Sequence, residues 1–579
     1  MAAPPTKWEW KVKPATPREA FRLASQLNIP PVMAQVLWHR GFKDPRETRD
    51  FLSPRLADLP GPQGFCDLEK AAGILAQAVQ AGQVLGVAGD YDADGVTATA
   101  LLLDFFRQVG AATVWDLPHR LADGYGFSPE RAERLAADGA QVVVTVDCGI
   151  SDHAGVSRAK ELGLTVVVTD HHQVPPGPLV PAHAVVNPQR QDCGYAPHLA
   201  GVGVAFYLAA AVRSHLRDMG AFAGGYAPNL RRSLDLVAVG TCADVVPLVG
   251  HNRILVNEGL RVLNEAGRTG LNALKAAAGL AGALDVRDVA FGLAPRLNAA
   301  GRLDHPARAL EVLLSESPAE ATELAGQLDR LNQRRRSLEL KVFEEVKERV
   351  AADSRFTDAP CLVLGDPGWH RGVLGIVASR LVEALGRPAI LFAVENGKAV
   401  GSGRSVPGFH MQKALSQLED LLLGYGGHAM AAGVTVASQD LERLGEALSE
   451  LAQDQLPPPG GPRLLELEAE AELDQLGPAC LEPLERMAPF GEGNPEPRLA
   501  VRRARVVAQR VVGQGHLKLT LAPAEAGPGW GFRLPAFGFG LAGQSPGTGQ
   551  LVDLAAAPRI SSYGGRHLEL NLLDVRTVD

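Results

Sequence analysis

Short apolar runs rich in β-branched residues alternate with helix-patterned segments through the first third of the chain. Val84–Ala88, Thr113–Leu117, Gln141–Val146 and Thr165–Thr169 read as strands, and Ala184–Val186 as one more. QVVVTV and TVVVT are continuous β-branched runs, the pattern of parallel strands covered on both faces. Between the runs, residues 70–80, 96–108 and 131–139 carry helical patterning. The alternation predicts a doubly wound parallel sheet with right-handed crossovers.

Residues 201–220 form an apolar helix with a charged end, and 221–228 a Gly- and Tyr-rich loop. Across 318–350, Leu324, Leu328, Leu331, Leu338, Val342 and Val346 recur at helical spacing with no interior proline. That predicts one long helix joining two domains, with Arg334–Arg336 either solvated, the favoured reading, or facing a polyanion. PCLVLG, VLGIVASRLVEAL and PAILFAV then open a second α/β unit, in which Gly401–Ser405 and Gly424–Gly433 read as Gly-rich turns. Such turns bring backbone N–H groups close to phosphate oxygens, and Arg404 beside them supplies a bidentate fork. Past PPPGGP and the solvent-facing acidic stretch Glu466–Glu472, alternation at Leu517, Leu519 and Leu521 and at Leu568, Leu570 and Leu572 predicts a small barrel.

A chain of 579 residues is too long for one core. The boundaries fall at an N-terminal arm (1–60), a parallel-sheet domain (61–317), a connecting helix (318–350) and a second α/β domain (351–456). A linker (457–497) and a barrel (498–579) complete the chain. In the arm, Trp8 and Trp10 are expected to pack onto the body.

The candidate chemistry lies where the strands end. Val84–Ala88 runs into GDYDADG, which places Asp90, Asp92 and Asp94 between a strand and a helix. QVVVTV is followed by Asp147, and TVVVT by Asp170, His171 and His172. One such aspartate is an ordinary turn or cap residue. Three strands delivering Asp, or Asp and His, to one sheet edge make a site. A calcium loop does not fit, because an apolar strand precedes GDYDADG and no Glu closes it. Crowded carboxylates need protons or cations, and Asp with His suits Mn²⁺ or Mg²⁺ better than zinc. Two such ions sharing a carboxylate are a standard device for attack at phosphorus. Asp244, in a GTCAD turn, is placed to join them, whereas Asp235 in an apolar helical run reads as structural.

Net charge is −8, so a nucleic-acid partner needs a local basic lining or bound metal. The six cysteines form no C-x-x-C pair, which argues against a zinc ribbon or disulfide scaffold and fits a reducing, cytoplasmic setting. No signal peptide or membrane-length apolar run is visible, so no membrane partner is expected.

Asp170-His171-His172, GDYDADG, VDCG at 146–149 and GTCADVVPL at 240–248 together resemble the DHH phosphoesterase superfamily. APRLNAAGR at 294–302, WHRGVLGIVASR at 369–380, GSGRS at 401–405, GYGGHAMAAG at 424–433 and PFGEGNPEP at 489–497 extend the likeness. Within the superfamily the chain is similar to the RecJ-type single-strand-specific 5′→3′ DNA exonucleases, over roughly residues 60–579. The resemblance implies a DHH domain and a DHHA1 domain joined by the long helix, with an OB-fold as the barrel. It implies one metal held by Asp94, Asp147, His171 and Asp244, and a second by Asp92 and shared Asp147 with Asp90 nearby. Many members have histidine where this chain has Ala88, so that second ion is expected to be held more weakly, or through Asp90 or water.

By the same resemblance His172 contacts the scissile phosphate and Asp170 orients the imidazoles. Arg120, Ser402 and Arg404 grip a 5′ phosphate, with Gly427 and His428 beside them. Arg296, Asn298 and Arg302 line the path of the strand. Arg510, His516, Lys518, Phe537, Phe539, Tyr563 and Arg566 are the barrel's candidates for single-strand binding. The expected activity is metal-dependent release of mononucleotides in DNA repair and recombination, with a helicase and a single-strand-binding protein as partners. A same-fold phosphodiesterase acting on RNA or short oligonucleotides is the alternative. A small-molecule pyrophosphatase is disfavoured by the barrel, and a non-catalytic scaffold by the intact set of ligands.

Overall fold

The computed structural model of the chain describes residues 8–14, 18–62, 64–194, 198–457, 463–513, 515–525, 531–561 and 565–578. They fall into two units: Met1–Pro60 with Pro247–Glu258 and Pro462–Asp579, and Gly61–Val246 with Gly259–Gly461. Strand β1 (Trp8–Val12) begins the first of these.

The second unit holds β2 (Leu85–Ala88), β3 (Thr113–Asp116), β4 (Val142–Val146), β5 (Thr165–Thr169) and β6 (Ala184–Val186). They form an all-parallel sheet in the order β3-β2-β4-β5-β6. The chain steps from β2 out to β3 and returns to β4 on the other side, so a topological switch point lies between β2 and β4. Ligands of such sheets bind at the carboxyl ends of the strands there. Ala88 pairs with Thr145 and Val146 with Thr169, so β2, β4 and β5 release their chains at one level. The helix Ala93–Gln108 packs against the helices Gly201–Asp218 and Leu234–Asp244 and is buried along nearly its whole length. That is why its sequence lacks a polar stripe.

A second sheet in this unit comprises β7 (Leu362–Asp366), β8 (Ala389–Glu395), β9 (Lys398–Arg404), β10 (Leu422–Gly427) and β11 (Ala431–Ala437). Its order is β10-β11-β9-β8-β7, parallel between β7 and β8 across the helix Arg371–Leu385 and antiparallel elsewhere. The Gly-rich stretches expected to be turns are mostly strand. Because β9 lies between β8 and β11, its N–H groups serve the ladder instead of standing free for a phosphate. Glycine serves packing there: a Cβ on Gly401 would fall 2.5 Å from the Phe392 ring.

The long helix runs from Pro318 to Ala352, capped by the Ser317 hydroxyl. Its buried stripe is Ala321, Ala325, Leu328, Asn332, Arg335, Glu339, Val342 and Val346. Arg335 is therefore not solvated: it bonds Glu339 at 3.0 Å and Asn332 at 2.8 Å, while Arg334 and Arg336 are exposed.

In the first unit, β12 (Arg463–Leu467) pairs in parallel with β1, and β13 (Ala469–Glu472) with β14 (Leu499–Val512). Strands β15 (His516–Ala522), β16 (Leu534–Gly538), β17 (Leu551–Ser561) and β18 (His567–Val578) follow. Pairing of β14 with both β15 and β17 closes a five-stranded barrel. Residues 463–487, expected within a linker, are structured as β12, β13 and a helix Leu481–Met487. The reason is period-two alternation: Leu465, Leu467, Ala469 and Ala471 are buried while Glu466, Glu470 and Glu472 face out. Trp10 packs as expected, its Nε1 donating to Asp574 at 2.8 Å and its ring 4.1 Å beneath Arg576.

Arg253 organises this unit. Its buried guanidinium donates to the carbonyls of Phe51, Arg486, Met487 and Ala488 at 2.8–3.0 Å and stacks 3.8 Å from the Phe51 ring. Burial lowers it to about 9. Arg253→Ala should leave these carbonyls without a donor and cost on the order of 3 kcal/mol. Denaturant unfolding checks this, and a midpoint equal to the parent's would show that water replaces the guanidinium.

Candidate active site

The acidic turn after β2 is shaped by its own side chains. Asp92 caps the helix Ala93–Gln108, accepting from Asp94 N at 2.9 Å and Gly95 N at 3.1 Å. Asn298 Oδ1 accepts from Ala93 N at 2.9 Å and so pins the same turn from the helix Ala294–Leu303. Asp147 leaves β4 with φ +61, a left-handed conformation that a non-glycine residue adopts only where its surroundings impose it. Glycines supply the closeness: a Cβ on Gly95 would lie 2.7 Å from Asp90 Cβ, and one on Gly201 2.6 Å from Asp147 Cβ. The N-terminus of the helix Gly201–Asp218 aims Gly201 N and Val202 N at Asp94, at 2.6 and 2.9 Å, which favours negative charge there.

The six residues expected to hold metal converge, with His172 beside them. The ligand atoms of Asp90, Asp92 and Asp147 form one group, those of Asp94, His171 and Asp244 a second, and Asp147 with His171 and His172 a third. His171 Nε2 lies 3.1 Å from Asp147 Oδ1, 3.6 Å from Asp244 Oδ2 and 3.9 Å from Asp94 Oδ2. Asp170 stands behind. Its Oδ1 accepts from His171 N at 2.7 Å and His172 N at 3.1 Å and lies 2.7 Å from His172 Nδ1, while Oδ2 accepts from Ile150 N at 3.0 Å. Asp170 thus fixes one imidazole; the His171 ring is held by the backbone of Leu199.

Four buried atoms here have no hydrogen-bond partner: Asp90 Oδ1, Asp147 Oδ1, Asp244 Oδ2 and His171 Nε2. Buried polar atoms are rarely left so, and four of them within adjoining carboxylate–histidine groups are the signature of a cation site. The donor set fits a hard divalent ion with oxygen in excess. Burial and then neighbouring carboxylates push Asp94 up to about 7 and Asp244 to about 8, with Asp90 and Asp147 also well above the usual range. Burial, then His172, lowers His171 to about 4, a neutral imidazole suited to ligation. Burial also opposes charge on His172, but the Asp170 hydrogen bond and the surrounding carboxylates outweigh it and leave about 9.

A basic group adjoins this acidic one. Arg404 Nη1 donates to Ser402 Oγ at 3.0 Å and to Gly403 O at 2.8 Å, and Arg302 Nη1 to Gly372 O at 3.2 Å. Arg120 lies 4.9 Å over the Tyr91 ring. Burial, then Arg120, lowers both Arg302, to about 9, and Arg404. Among the described residues none of these three arginines forms an ion pair, an arrangement that fits a polyanion. Arg296 does not join them. It is buried in an ion pair with Asp329 at 2.7 Å and bonds Gly292 O, so its charge is already used. Gly427, at φ +138, and exposed His428 lie at the turn between β10 and β11. Asp235 is structural, paired with Arg268 at 3.2 Å.

Tyr125 was not among the expected residues. Its hydroxyl lies 3.1 Å from His172 Nδ1, its ring stands edge-on to that imidazole, and it is 49% exposed. Its position five residues after Arg120 in PHRLADGYG was the available signal.

A carboxylate–histidine centre at the switch point of a parallel sheet, followed by a mixed-sheet domain and a barrel, marks the DHH class of phosphoesterases. The family description "DHH family, N-terminal domain" matches residues 85–241, the DHHA1 domain 358–454 and the RecJ OB domain 467–574. The chain is 41% identical over 535 residues to the single-stranded-DNA-specific exonuclease RecJ of Salmonella typhimurium, covering 88% of this chain and 90% of that one. The crystal structure of Thermus thermophilus RecJ in complex with Mn²⁺ matches with TM-score 0.82 and 34% identity over 99% of this chain and 80% of that one. The same protein in complex with Mg²⁺ matches with TM-score 0.75 and 32% identity, covering 99% and 79%. The chain belongs to the RecJ family.

The raised carboxylates give a pH signature. Asp94 and Asp244 bind protons more tightly folded than unfolded, so their contribution is full below about 4 and is lost as pH rises through about 7 and 8. In chelator, the melting temperature should fall between pH 5 and pH 9. Added Mn²⁺ should raise it more at pH 9, where no proton competes. A melting temperature that rises with pH in chelator would contradict this.

Proposed function

We propose that this chain is a metal-dependent exonuclease that removes mononucleotides from the 5′ end of single-stranded DNA. The observation that carries the reading is the set of four partnerless ligand atoms at the switch point. Asp94, Asp147, His171 and Asp244 would hold one Mn²⁺ or Mg²⁺, and Asp90, Asp92 and the shared Asp147 a second. Bound there, such ions supply positive charge to a phosphoryl oxygen and lower the pKa of water.

The chain's own residues do the rest. Asp170 holds His172 through Nδ1, so the imidazole presents its other nitrogen to a phosphate oxygen. Arg120, Arg404 and Ser402 take the 5′ terminal phosphate, and Arg302 the next segment of backbone. Asn298 keeps the acidic turn in place, which makes it a positioning residue. In the barrel, the rings of His516, Phe537 and Phe539 lie 4.7–5.9 Å apart, with Phe539 63% exposed. With Lys518 and Arg510 they suit base stacking and backbone attraction. Arg566 is paired with Glu485, and Tyr563 lies outside the described residues. No described helix is long and apolar enough to cross a membrane. We place the activity in cytoplasmic DNA repair and recombination, on strands delivered by a helicase and a single-strand-binding protein.

The test offers end-labelled single-stranded DNA, matched RNA and blunt duplex with Mn²⁺ or Mg²⁺. Mononucleotides should appear first from the 5′ end of single-stranded DNA and vanish with chelator; preferential cleavage of RNA or of short oligonucleotides alone would replace this reading. Asp147→Ala removes the shared ligand and should lower the rate by more than about 100-fold. A retained rate would sink the two-ion assignment. Arg404→Ala should raise KM about 10- to 100-fold for 5′-phosphorylated strands and little for 5′-hydroxyl strands. An equal loss on both would remove the end-gripping role.

A further inference from the structure

Outside the acidic centre, two cysteines that are 127 residues apart in the chain meet at the surface of the parallel-sheet domain. Cys66 N donates to Cys193 Sγ at 3.0 Å, Cys193 Sγ donates to Gly64 O at 3.3 Å, and the two thiols hydrogen-bond to each other. Both are half-buried, whereas Cys148, Cys242, Cys361 and Cys480 are buried. An oxidant in solution therefore reaches this pair and not the others.

The pair joins two segments that matter to the centre. Cys66 precedes Asp67, whose Oδ2 accepts from Val185 N at 3.0 Å and Arg190 Nη1 at 2.9 Å. Cys193 ends the segment after β6, in which Asn187 Nδ2 donates to His172 O at 2.9 Å and Gln189 Nε2 donates to His171 O. The segment that Cys193 anchors is thus the one that holds the backbone of both histidines.

We propose that Cys66 and Cys193 form a reversible disulfide when a peroxide is present, a staple that locks the 187–193 segment beneath His171 and His172. The step balances: one peroxide takes two electrons from the two thiols, its O–O bond breaks, one S–S bond forms and two waters leave. The sulfurs must close from hydrogen-bonding distance to about 2.05 Å, a small movement at loop positions. One thiol takes the peroxide oxygen as a sulfenic acid with loss of water, and the other displaces the second water to close the bond. A pair accessible in this way behaves as a conditional switch in a reducing compartment, not as a permanent brace. The inference rests on the thiol geometry and stands whether or not the exonuclease reading holds.

The experiment treats the full-length protein with hydrogen peroxide, then maps peptides under non-reducing conditions. The expected product is a cross-link between the Cys66 and Cys193 peptides, removed by dithiothreitol and absent from Cys193→Ser. Oxidation should raise the melting temperature by a few degrees in the parent alone and slow amide exchange across 187–193. Cys66→Ser serves as the second control should Cys193→Ser fold poorly. Cross-links through other cysteines, or sulfinic acid at Cys193 without a cross-link, would overturn the pairing. A cross-link that leaves exchange across 187–193 unchanged would overturn the staple.

Discussion

The structure is built around a repulsion. Asp90, Asp94, Asp147 and Asp244 are brought together where water is scarce, and each has its carboxyl pushed upward by burial and by neighbouring carboxylates, Asp92 among them. Protonated His172 offsets only part of this charge. The fold limits the damage locally: a helix N-terminus faces Asp94, one oxygen of Asp92 caps its own helix, and glycines allow backbone to approach. These devices orient the carboxylates without discharging them, so the balance is left to cations. The parallel sheet, its switch point and the left-handed Asp147 serve that convergence.

The same logic explains why the arginines do not collapse onto the aspartates. Arg302 is tethered to the Gly372 carbonyl and Arg404 to Ser402 and Gly403, so their charges are held apart from the acidic turn. Two half-sites of opposite sign remain, each incomplete. In the function proposed above, a strand with a terminal phosphate would complete the basic half directly and the acidic half through cations. Charge complementarity of this kind orients a polyanion before any base is read.

Much of this was legible because its signals are local. A β-branched run followed by aspartate announces a strand and its outgoing residue, and three such runs announce an edge. The features that escaped depend on partners far away in sequence. Arg296 reads as a free cation until Asp329 is placed beside it. Gly401 and Gly427 look like turn residues until the Phe392 ring and the backbone of Ala431 show that absence of a side chain is a packing requirement. The acidic run after the proline-rich segment looks like linker because glutamates at alternate positions hide the inward Leu and Ala. Arg253 acts through four carbonyls, which have no sequence signature, and Tyr125 was marked only by its place in PHRLADGYG.

Ala88 bears on how the two proposed ions differ. It is wholly buried at the end of β2, in an apolar cluster with Phe127, Leu135 and Val143, and offers no ligand to the group of Asp90, Asp92 and Asp147. That group is all oxygen, whereas Asp94, His171 and Asp244 include an imidazole. An imidazole raises affinity for later transition ions over Mg²⁺; carboxylates alone discriminate less and favour hard ions. For the two ions proposed, this asymmetry would make the nitrogen-bearing group the tighter holder of a transition ion. Asp147 belongs to the oxygen group and lies 3.1 Å from His171 Nε2, so occupancy of the first group lowers the negative charge that the second presents. The two would then fill in order, with the weaker one closest to the turn where the substrate's charge arrives.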